Sequence, residues 1–357
     1  MLNKEESQRL SILSFPLIVG VVIAHAYKAD VGFSTGSIGL VETSAVTSFI
    51  RDCIARVVAR STVPVFFMIS GYLFFINFDG TRASFLSKMT SRAKTLLVPF
   101  LIWNIANLAV MAMLQSMPSM QQFFSGNNAR IASFGGFDYL NAIFGLDRTP
   151  IAYQFWFIRD LMVLVILSPV IYLLTRQFAV ATLVVLSLGW FGLLWPFYIP
   201  SPEGIFFFFI GSLLACRKKS IFPFDDHAPW IVAAYLVAVV LDVFLLGSRA
   251  GLYVHNFTVF LGAFALMSLS RSVLRWPRLK NSLIGLGAAG FFVFAAHEPL
   301  LTIFRKIVYK AIVPDSDLCI LVLFFLIPSL VLVLLVQTYK IISIKFSKFT
   351  SLITGGR

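Results

Sequence analysis

Apolar runs long enough to cross a lipid bilayer recur along the whole chain, and they constrain its fold more than any other feature. A bilayer core needs about 20 apolar residues per helix, with tolerance for tilted or short buried spans. The sequence predicts ten spans, near residues 10–27, 61–77, 93–114, 156–174, 178–195, 203–216, 229–246, 254–270, 284–304 and 318–340. Hydrophobic residues make up 59% of the chain and charged residues only 13%. This composition excludes a soluble globule, a disordered chain and a disulfide scaffold. We therefore predict an all-α polytopic membrane helical bundle of about ten transmembrane helices.

Basic residues between the spans predict the orientation of the bundle. The chain has 29 lysines and arginines against 16 acidic residues, a net charge of +13. With the N-terminus inside, most basic residues fall in cytoplasmic loops, as the positive-inside rule requires, and an even number of spans puts both termini in the cytoplasm. Anionic headgroups explain the excess charge, so we expect membrane lipids and no nucleic acid as partners. The three cysteines lack disulfide or metal spacing, so we expect no metal.

The segments outside the spans divide into two long loops and a tail. Within residues 28–60, the stretch TSAVTSFIRDCIARVVAR has apolar residues at helical spacing, which predicts an amphipathic helix lying on the membrane or over the bundle. Residues 115–155 are rich in Gly, Asn and Ser and indicate a surface loop or lid. We predict one transmembrane domain over 1–345 and a short basic cytoplasmic tail over 346–357.

Two histidines in apolar spans are the first candidates for chemistry. Ionisable groups inside a membrane span cost free energy, so each is a functional candidate by default. His25 lies near the outer end of the first span, and His297 lies in the ninth, followed by Glu298 and Pro299. Pro299 frees a backbone carbonyl in the same turn, which a polar site can use. The alternative is an interfacial histidine that hydrogen-bonds to a loop.

Other charged residues near span ends have two explanations of similar weight. Arg159 and Asp160 open the fourth span in WFIRDL, and they form either a functional pair or a structural ion pair or anchor. Asp242 in the seventh span and His255 at the start of the eighth are either functional or interfacial.

Two textual motifs are discounted on context. Gly32 to Gly36 matches GxSxG, but a nucleophile elbow needs a strand-to-helix turn, and no strand is expected here. Gly285 to Gly290 matches GxGxxG without a βαβ unit, so small residues that let helices pack closely explain it better. A weaker alternative is a phosphate-bearing donor at this helix start, beside the basic cluster over 271–280.

Six stretches together resemble the membrane-bound acyltransferase 3 family. In order they are RLSILSFPLIVGVVIAH, VPVFFMISGYLFF, SRAKTLLVPFLIW, WFIRDLMVLVILSP, FFFFIGSLLAC and GFFVFAAHEPLL. The resemblance spans nearly the whole chain and implies a ten-helix bundle that transfers an acyl group, usually acetyl. It implies cytoplasmic acetyl-CoA as the donor substrate, with no bound cofactor. The implied acceptors are hydroxyls of envelope carbohydrates such as O-antigen, other surface polysaccharides or peptidoglycan.

The resemblance carries over one catalytic residue directly and departs at another. The histidine that closes the family's first-helix motif matches His25. Family members often carry an arginine eleven residues earlier, where this chain has Ser14, so Arg60 and Arg159 are candidates to replace it. Relatives often carry an appended SGNH-type domain, which this chain lacks, so we expect it to act alone or with a separate partner.

The chemistry of acyl transfer suggests roles for these side chains. A sugar hydroxyl is a poor nucleophile until a base removes its proton, and neutral histidine suits that task near pH 7. The thioester carbonyl needs a donor where negative charge develops, and Arg159 can supply it. We therefore predict His25, Arg159 and His297 as catalytic residues.

Residues that contact substrate or donor are predicted around the same stretches. The Ser-Gly step of SGYLF either lines the donor passage or permits close helix packing, and packing is favoured. Arg92 either pairs with the phosphates of CoA or anchors the helix at the cytoplasmic face. The predicted binding residues are Arg60, Ser70, Tyr72, Arg92, Trp156, Asp160 and Glu298.

The leading prediction is an integral-membrane O-acetyltransferase of a bacterial inner membrane that modifies O-antigen or lipopolysaccharide. The alternative is a transporter or flippase for a lipid-linked sugar or small solute. Transporters often show internal repeats and paired broken helices, and the sequence indicates neither.

Overall fold

A computed structural model describes residues 2–124 and 129–356 of the chain. In these ranges the fold is mainly helical, with one pair of short strands. The first half contains α1 (Lys4–His25), β1 (Asp30–Phe33), β2 (Gly36–Gly39), α2 (Ala45–Arg51), α3 (Thr62–Phe75), α4 (Arg82–Arg92), α5 (Val98–Ser116), α6 (Gly136–Phe144), α7 (Trp156–Ile166) and α8 (Ser168–Gln177). The second half contains α9 (Ala179–Phe191), α10 (Pro202–Cys216), α11 (Ala228–Leu245), α12 (Arg249–Val273), α13 (Pro277–Gly287), α14 (Gly290–Ile312), α15 (Asp317–Lys345) and α16 (Ser347–Thr354).

Six helical segments of the described chain are long and apolar enough to cross a membrane. They are Lys4–His25, Ala45–Phe75, Arg82–Ser116, Asp225–Leu245, Arg249–Val273 and Asp317–Lys345. Two bent pairs, α7 with α8 and α13 with α14, raise the number to eight if each pair is one span. The predictions of an all-helical fold and of a multi-pass membrane protein are therefore confirmed.

The segment before the second span differs from its prediction. We expected a separate amphipathic helix before residue 61, but Ala45–Phe75 is one helical segment, with a π-helix over Asp52–Val58 and a 3-10 turn over Ala59–Ser61. These irregular turns lie just before Pro64, which has no N–H to donate to the carbonyl four residues earlier. The helix therefore changes its hydrogen-bond pattern at this point and continues.

The expectation that no strand occurs was wrong at the GxSxG stretch. β1 pairs with β2 in an antiparallel hairpin, with Phe33 opposite Gly36. Gly36 has φ +133, a conformation that favours glycine. No helix follows the turn directly, so Ser34 is a hairpin-turn residue and the motif is not a nucleophile elbow.

The chain forms two compact units, which are described separately. Unit 1 comprises 1–21, 53–94 and 160–290, and unit 2 comprises 22–52, 95–159 and 291–357.

Unit 1 is centred on the close packing of α3 against α10. A Cβ atom added at Gly71 would lie 2.2 Å from the carbonyl oxygen of Phe208, and one added at Gly211 would lie 2.0 Å from that of Met68. Each glycine therefore lets its helix touch the backbone of the other. This geometry supports the packing explanation for the Ser-Gly step at Ser70.

A buried arginine fixes the start of α1 within unit 1. Arg9 is 2% exposed and donates through Nη1 and Nη2 to the two carboxylate oxygens of Asp225. Its Nε donates to Ser270 Oγ at 2.9 Å, and its guanidinium lies 3.5 Å from the ring centre of Phe222. The charge is thus paired and its donors are used, as burial requires.

Small residues at the junction of α13 and α14 pack against α1. A Cβ atom added at Gly290 would lie 3.3 Å from Ser14 Oγ, and one at Gly287 would lie 3.7 Å from Ser14 Cβ. This contact supports the helix-packing explanation of the GxGxxG stretch.

Unit 2 contains the hairpin, α5, α6, the start of α7, most of α14, and α15 and α16. The predicted tail over 346–357 includes the helix α16, whose Thr350 and Ile353 are buried. Trp103 Nε1 donates to the Ile353 carbonyl at 2.9 Å, so this segment packs against α5.

Candidate active site

A break in the middle of α14 creates the polar centre of unit 2. Glu298 has non-helical backbone angles, φ −110 and ψ 134, and the helix resumes after Pro299. Because proline has no N–H, the carbonyl of Ala295, four residues earlier, loses its helical partner. Gln154 replaces it: its Nε2 donates to the Ala295 carbonyl at 3.0 Å and to the Glu298 carbonyl at 3.2 Å. Gln154 is 1% exposed, so these hydrogen bonds are shielded from water.

His297 is fully buried at this break, and its ring orientation is set by its own helix. Its Nδ1 lies 2.7 Å from the Phe294 carbonyl oxygen. A carbonyl only accepts hydrogen bonds, so Nδ1 carries a proton, and the neutral ring has its lone pair on Nε2. Among the described residues, Nε2 has no hydrogen-bond partner. A buried, unpartnered lone pair of this kind is available to accept a proton.

His25, the last residue of α1, lies beside His297. The two ring centres are 5.3 Å apart with an angle of 30° between the planes. The rings of Tyr153 and His25 form a T-shaped pair, with their centres 4.8 Å apart and an angle of 75° between the planes. His25 is half-buried and Tyr153 is partly exposed, so the cluster reaches the surface of unit 2 on their side.

Glu298 is the acidic member of the cluster. It is buried, and its Oε1 accepts a hydrogen bond from the Tyr153 hydroxyl at 3.0 Å. Tyr153 thus connects the carboxylate of α14 to the imidazole of His25. We use the name histidine cluster for His25, Tyr153, His297 and Glu298.

Aromatic side chains enclose the buried side of the histidine cluster. Phe294 lies 5.4 Å from Phe155 and 6.2 Å from Phe157, measured between ring centres. All three rings are buried. An apolar wall of this kind excludes water, and it strengthens electrostatic interactions among the groups that it surrounds.

Comparison with known proteins agrees with a group-transfer site. Residues 16–338 match the acyltransferase 3 family, which is described as an acyltransferase domain. The chain belongs to this acyltransferase family. It is also similar to the succinoglycan biosynthesis protein ExoH of Rhizobium meliloti (strain 1021), with 25% identity over 98% of this chain and 92% of the relative. No solved structure matches the chain. The family membership favours an acyltransferase over the transporter or flippase.

Three of the residues that the sequence singled out in this acyltransferase lie together. His25 precedes the adjacent pair His297 and Glu298 by about 270 residues in the chain, and the fold brings all three into one cluster. Their roles in catalysis stay predictions.

Arg159 is buried in the same unit, where it holds the loop before α7. Its Nη1 donates to the Gly145 carbonyl at 2.6 Å and to the Arg148 carbonyl at 3.1 Å. Trp156, the first residue of α7, is half-buried and follows directly on the stretch that carries Tyr153 and Gln154. Arg159 therefore has a structural task besides the predicted catalytic one.

The remaining predicted binding residues belong to unit 1. Asp160 is fully buried and accepts the backbone N–H of Ser201 at 2.7 Å, and Tyr72 donates its hydroxyl to the Lys219 carbonyl at 3.0 Å. Arg60 is exposed, whereas Ser70 and Arg92 are half-buried.

Another buried polar pair lies in unit 1. His255 Nδ1 and Asp242 Oδ2 are 2.9 Å apart, and Asp242 is completely buried. This pairing is compatible with both explanations that the sequence left open for these residues, a functional role and an interfacial one.

Sequence reasoning missed Tyr153 and Gln154. Both precede the apolar run of α7 in a stretch that we predicted as loop, and about 145 residues separate them from their partners in α14. The one available signal was Pro299, because the carbonyl that it frees needs a donor from elsewhere.

Proposed function

We propose that this protein is an O-acyltransferase that moves an acetyl group from cytoplasmic acetyl-CoA to a hydroxyl of a cell-envelope polysaccharide. Membership of the acyltransferase family supports the reaction class. The similarity to a protein named for succinoglycan biosynthesis supports a polysaccharide acceptor. O-antigen or lipopolysaccharide is the acceptor that the sequence predicts.

The histidine cluster is the observation that carries this proposal. The Nε2 atom of the buried His297 has no hydrogen-bond partner among the described residues. The centre of its ring lies 5.3 Å from that of His25, which is at the partly exposed end of the cluster. The cluster contains two imidazoles, a buried carboxylic side chain and a tyrosine hydroxyl. These groups can donate and accept the protons that must move when an acyl group is transferred from sulfur to oxygen.

The reaction follows from these groups in balanced steps. One imidazole accepts the proton of the acceptor hydroxyl as its oxygen attacks the thioester carbonyl of acetyl-CoA. The carbon–oxygen bond forms, the carbon–sulfur bond breaks, and the imidazolium returns the proton to the departing thiolate. In the tetrahedral intermediate, negative charge on the former carbonyl oxygen needs a hydrogen-bond donor. Arg159 remains our candidate for that donor, and His25 is our first candidate for the base.

The proposed reaction requires a membrane protein that is open to both sides. We propose ten spans with both termini in the cytoplasm, in a bacterial inner membrane. The six long segments, the two bent pairs and the shorter apolar helices Ala179–Phe191 and Pro202–Cys216 give this number if each is a span. Arg92, at the end of α4, remains a candidate to pair with the phosphates of CoA. Reporter fusions at the C-terminus and in the α5–α6 loop test the topology.

Substitution of individual histidines tests the function. We expect His25→Ala and His297→Ala to abolish acylation of the envelope polysaccharide, measured by mass spectrometry, while the amount of inserted protein stays normal. His227→Ala is the matched control, because His227 is exposed in the turn before α11. Persistent acylation in both cluster variants would rule out this site.

The donor needs its own measurement. Membrane vesicles that contain the protein should transfer label from isotopically labelled acetyl-CoA to polysaccharide. Labelled succinyl-CoA serves as the competing donor. Preferential transfer from succinyl-CoA would refute the acetyl assignment and leave the reaction class intact.

A further inference from the structure

Unit 2 contains a cleft of about 860 Å³, and the residues that line it are different from those of the histidine cluster. Its wall begins at the C-terminal end of α5 and continues through the 3-10 segment Pro118–Phe123 and the short turn Ile131–Ser133. Tyr139 of α6 and Ser34 of the hairpin turn complete the lining. We call this cavity the outer cleft.

The outer cleft is held open by hydrogen bonds that its frame makes to itself. Gln115 donates to the Ala129 carbonyl at 3.0 Å and accepts the Ile131 N–H at 2.9 Å. Ser34 N–H donates to the Gln122 carbonyl at 3.1 Å, which joins the hairpin to the 3-10 segment. These contacts join the described parts of the frame to one another, so a ligand does not have to order them.

Two lysines of α14 form hydrogen bonds with the frame of the outer cleft. Lys306 Nζ donates to the carbonyls of Gly32 and Phe123, and Lys310 Nζ donates to Gln122 Oε1 at 2.5 Å. Lys306 follows Glu298 by eight residues, which is about 12 Å along a helix at 1.5 Å per residue. The same helix that carries His297 and Glu298 of the histidine cluster thus carries the supports of the outer cleft, about two helical turns further along.

The lining chemistry selects the class of ligand. The side chains are carboxamides and hydroxyls with small apolar residues between them, and Arg130 is the one charged side chain among the lining residues. A carboxamide has two donors and two acceptor lone pairs, so Gln115 and Gln121 keep capacity for sugar hydroxyls beyond the hydrogen bonds that they make within the frame. The rings of Phe124 and Tyr139 offer flat apolar faces for the C–H faces of a pyranose.

The same lining argues against the acyl donor as the occupant. CoA carries several phosphates, and an anion of that kind is recognised by several basic donors or by helix N-termini. A single arginine suits a neutral or weakly acidic chain of sugars better.

We propose that the outer cleft binds the carbohydrate acceptor and presents one of its hydroxyls to the histidine cluster. This inference rests on the proposed function and adds to it a binding site for the polysaccharide. Arg130 and Tyr139 are the side chains expected to contribute most, since Arg130 is exposed and Tyr139 is half-exposed at 41%.

Binding without turnover tests the cleft separately from the reaction. The full chain with His25→Ala is purified in lipid nanodiscs, and the probe is envelope polysaccharide from the producing cells, cut into oligosaccharides and alkali-treated to remove esters. We expect Arg130→Ala and Tyr139→Ala each to weaken binding about tenfold, as loss of one charge-assisted hydrogen bond or one stacked ring does. Tyr139→Phe should retain most of the affinity.

Matched controls come from the same surface types. Phe137→Ala removes an exposed ring from α6 outside the cleft, and Arg249→Ala removes an exposed charge at the start of α12. Both should bind the probe like the parent. Unchanged binding in Arg130→Ala and Tyr139→Ala, or equal losses in the controls, would overturn the cleft assignment.

Kinetics with the otherwise unaltered protein separate this proposal from the function on which it rests. The cleft variants should raise the KM for the oligosaccharide acceptor and leave the KM for acetyl-CoA unchanged. A rise in the KM for acetyl-CoA alone would overturn the acceptor assignment. Failure of the wild-type protein to acylate any polysaccharide would refute the proposed function, whereas the binding result would still decide whether the cleft takes sugars.

Discussion

Gln154 offers the sharpest test of how the break in α14 is maintained. It supplies the hydrogen bonds that Pro299 denies to the Ala295 carbonyl, and it also binds the Glu298 carbonyl, at 3.0 and 3.2 Å. Gln154→Leu keeps the side-chain volume but leaves two buried carbonyls without this donor. The loss of one buried hydrogen bond costs about 1 kcal/mol, and this value lies within the range for membrane proteins. We therefore expect the free energy of unfolding to fall by roughly 2 kcal/mol.

Asn107→Leu is the matched control for this substitution. Asn107 Nδ2 donates to the Trp103 carbonyl at 2.8 Å from the same helix, four residues earlier. That carbonyl also has the backbone N–H of residue 107 as its ordinary α-helical partner, so removing the amide leaves it satisfied. We expect a loss of about 0.5 kcal/mol or less, because no buried carbonyl is left without a partner.

Thermal unfolding of both purified variants in the same detergent measures the difference, and acyl transfer per folded molecule measures its consequence. Gln154→Leu should lower the midpoint more than Asn107→Leu and should also reduce turnover, because the two carbonyls flank His297. Equal destabilisation by both variants would refute the idea that Gln154 compensates for the missing N–H of Pro299.

Two further predictions concern unit 1. Gly211→Ala should greatly reduce the yield of folded protein, because its Cβ would lie 2.0 Å from the Met68 carbonyl oxygen. Gly285→Ala is the control, because its Cβ would have nothing within 4 Å, and it should leave the unfolding midpoint unchanged or raised. Comparable yields of the two variants would contradict the close packing of α3 and α10. Arg9→Ala should destabilise by roughly 2–3 kcal/mol because it leaves Asp225 without its bidentate partner. Thermal unfolding checks this, and adding Asp225→Ala should recover part of the loss; no recovery would show that Arg9 acts through other contacts.

The long helices were predictable because a bilayer imposes one period and one length on the sequence. The apolar runs of α11, α12 and α15 agree with their predicted spans to within a few residues at each end, apart from the added turns at the ends of α12 and α15. Helix interruptions were harder to place. The π-helical turn Ala93–Leu97 lies just before Pro99, and the break in α14 lies at Pro299. Proline indicates where a hydrogen bond is lost, but hydropathy does not report how the backbone responds.

The candidate site was predictable in its histidines and not in their surroundings. An ionisable residue in an apolar helix stands out in sequence, which is why His25 and His297 were selected. Tyr153 and Gln154 did not stand out, because both lie at the edge of a span where polar residues are ordinary. Their importance comes from contacts with a distant helix. The β-hairpin was missed for a similar reason, since four-residue strands carry too little alternation to register beside long apolar runs.

The orientation of His297 has a consequence for genetics. Many catalytic histidines depend on a neighbouring acidic side chain, so mutagenesis reveals the pair as two separate loss-of-function positions. Here the atom that aligns the ring is the main-chain oxygen of Phe294. Every amino acid supplies that oxygen, so a substitution at position 294 changes the apolar wall but leaves the Nδ1 acceptor of His297 in place. A saturation screen should therefore show no position at which the loss of a side chain removes the Nδ1 acceptor of His297.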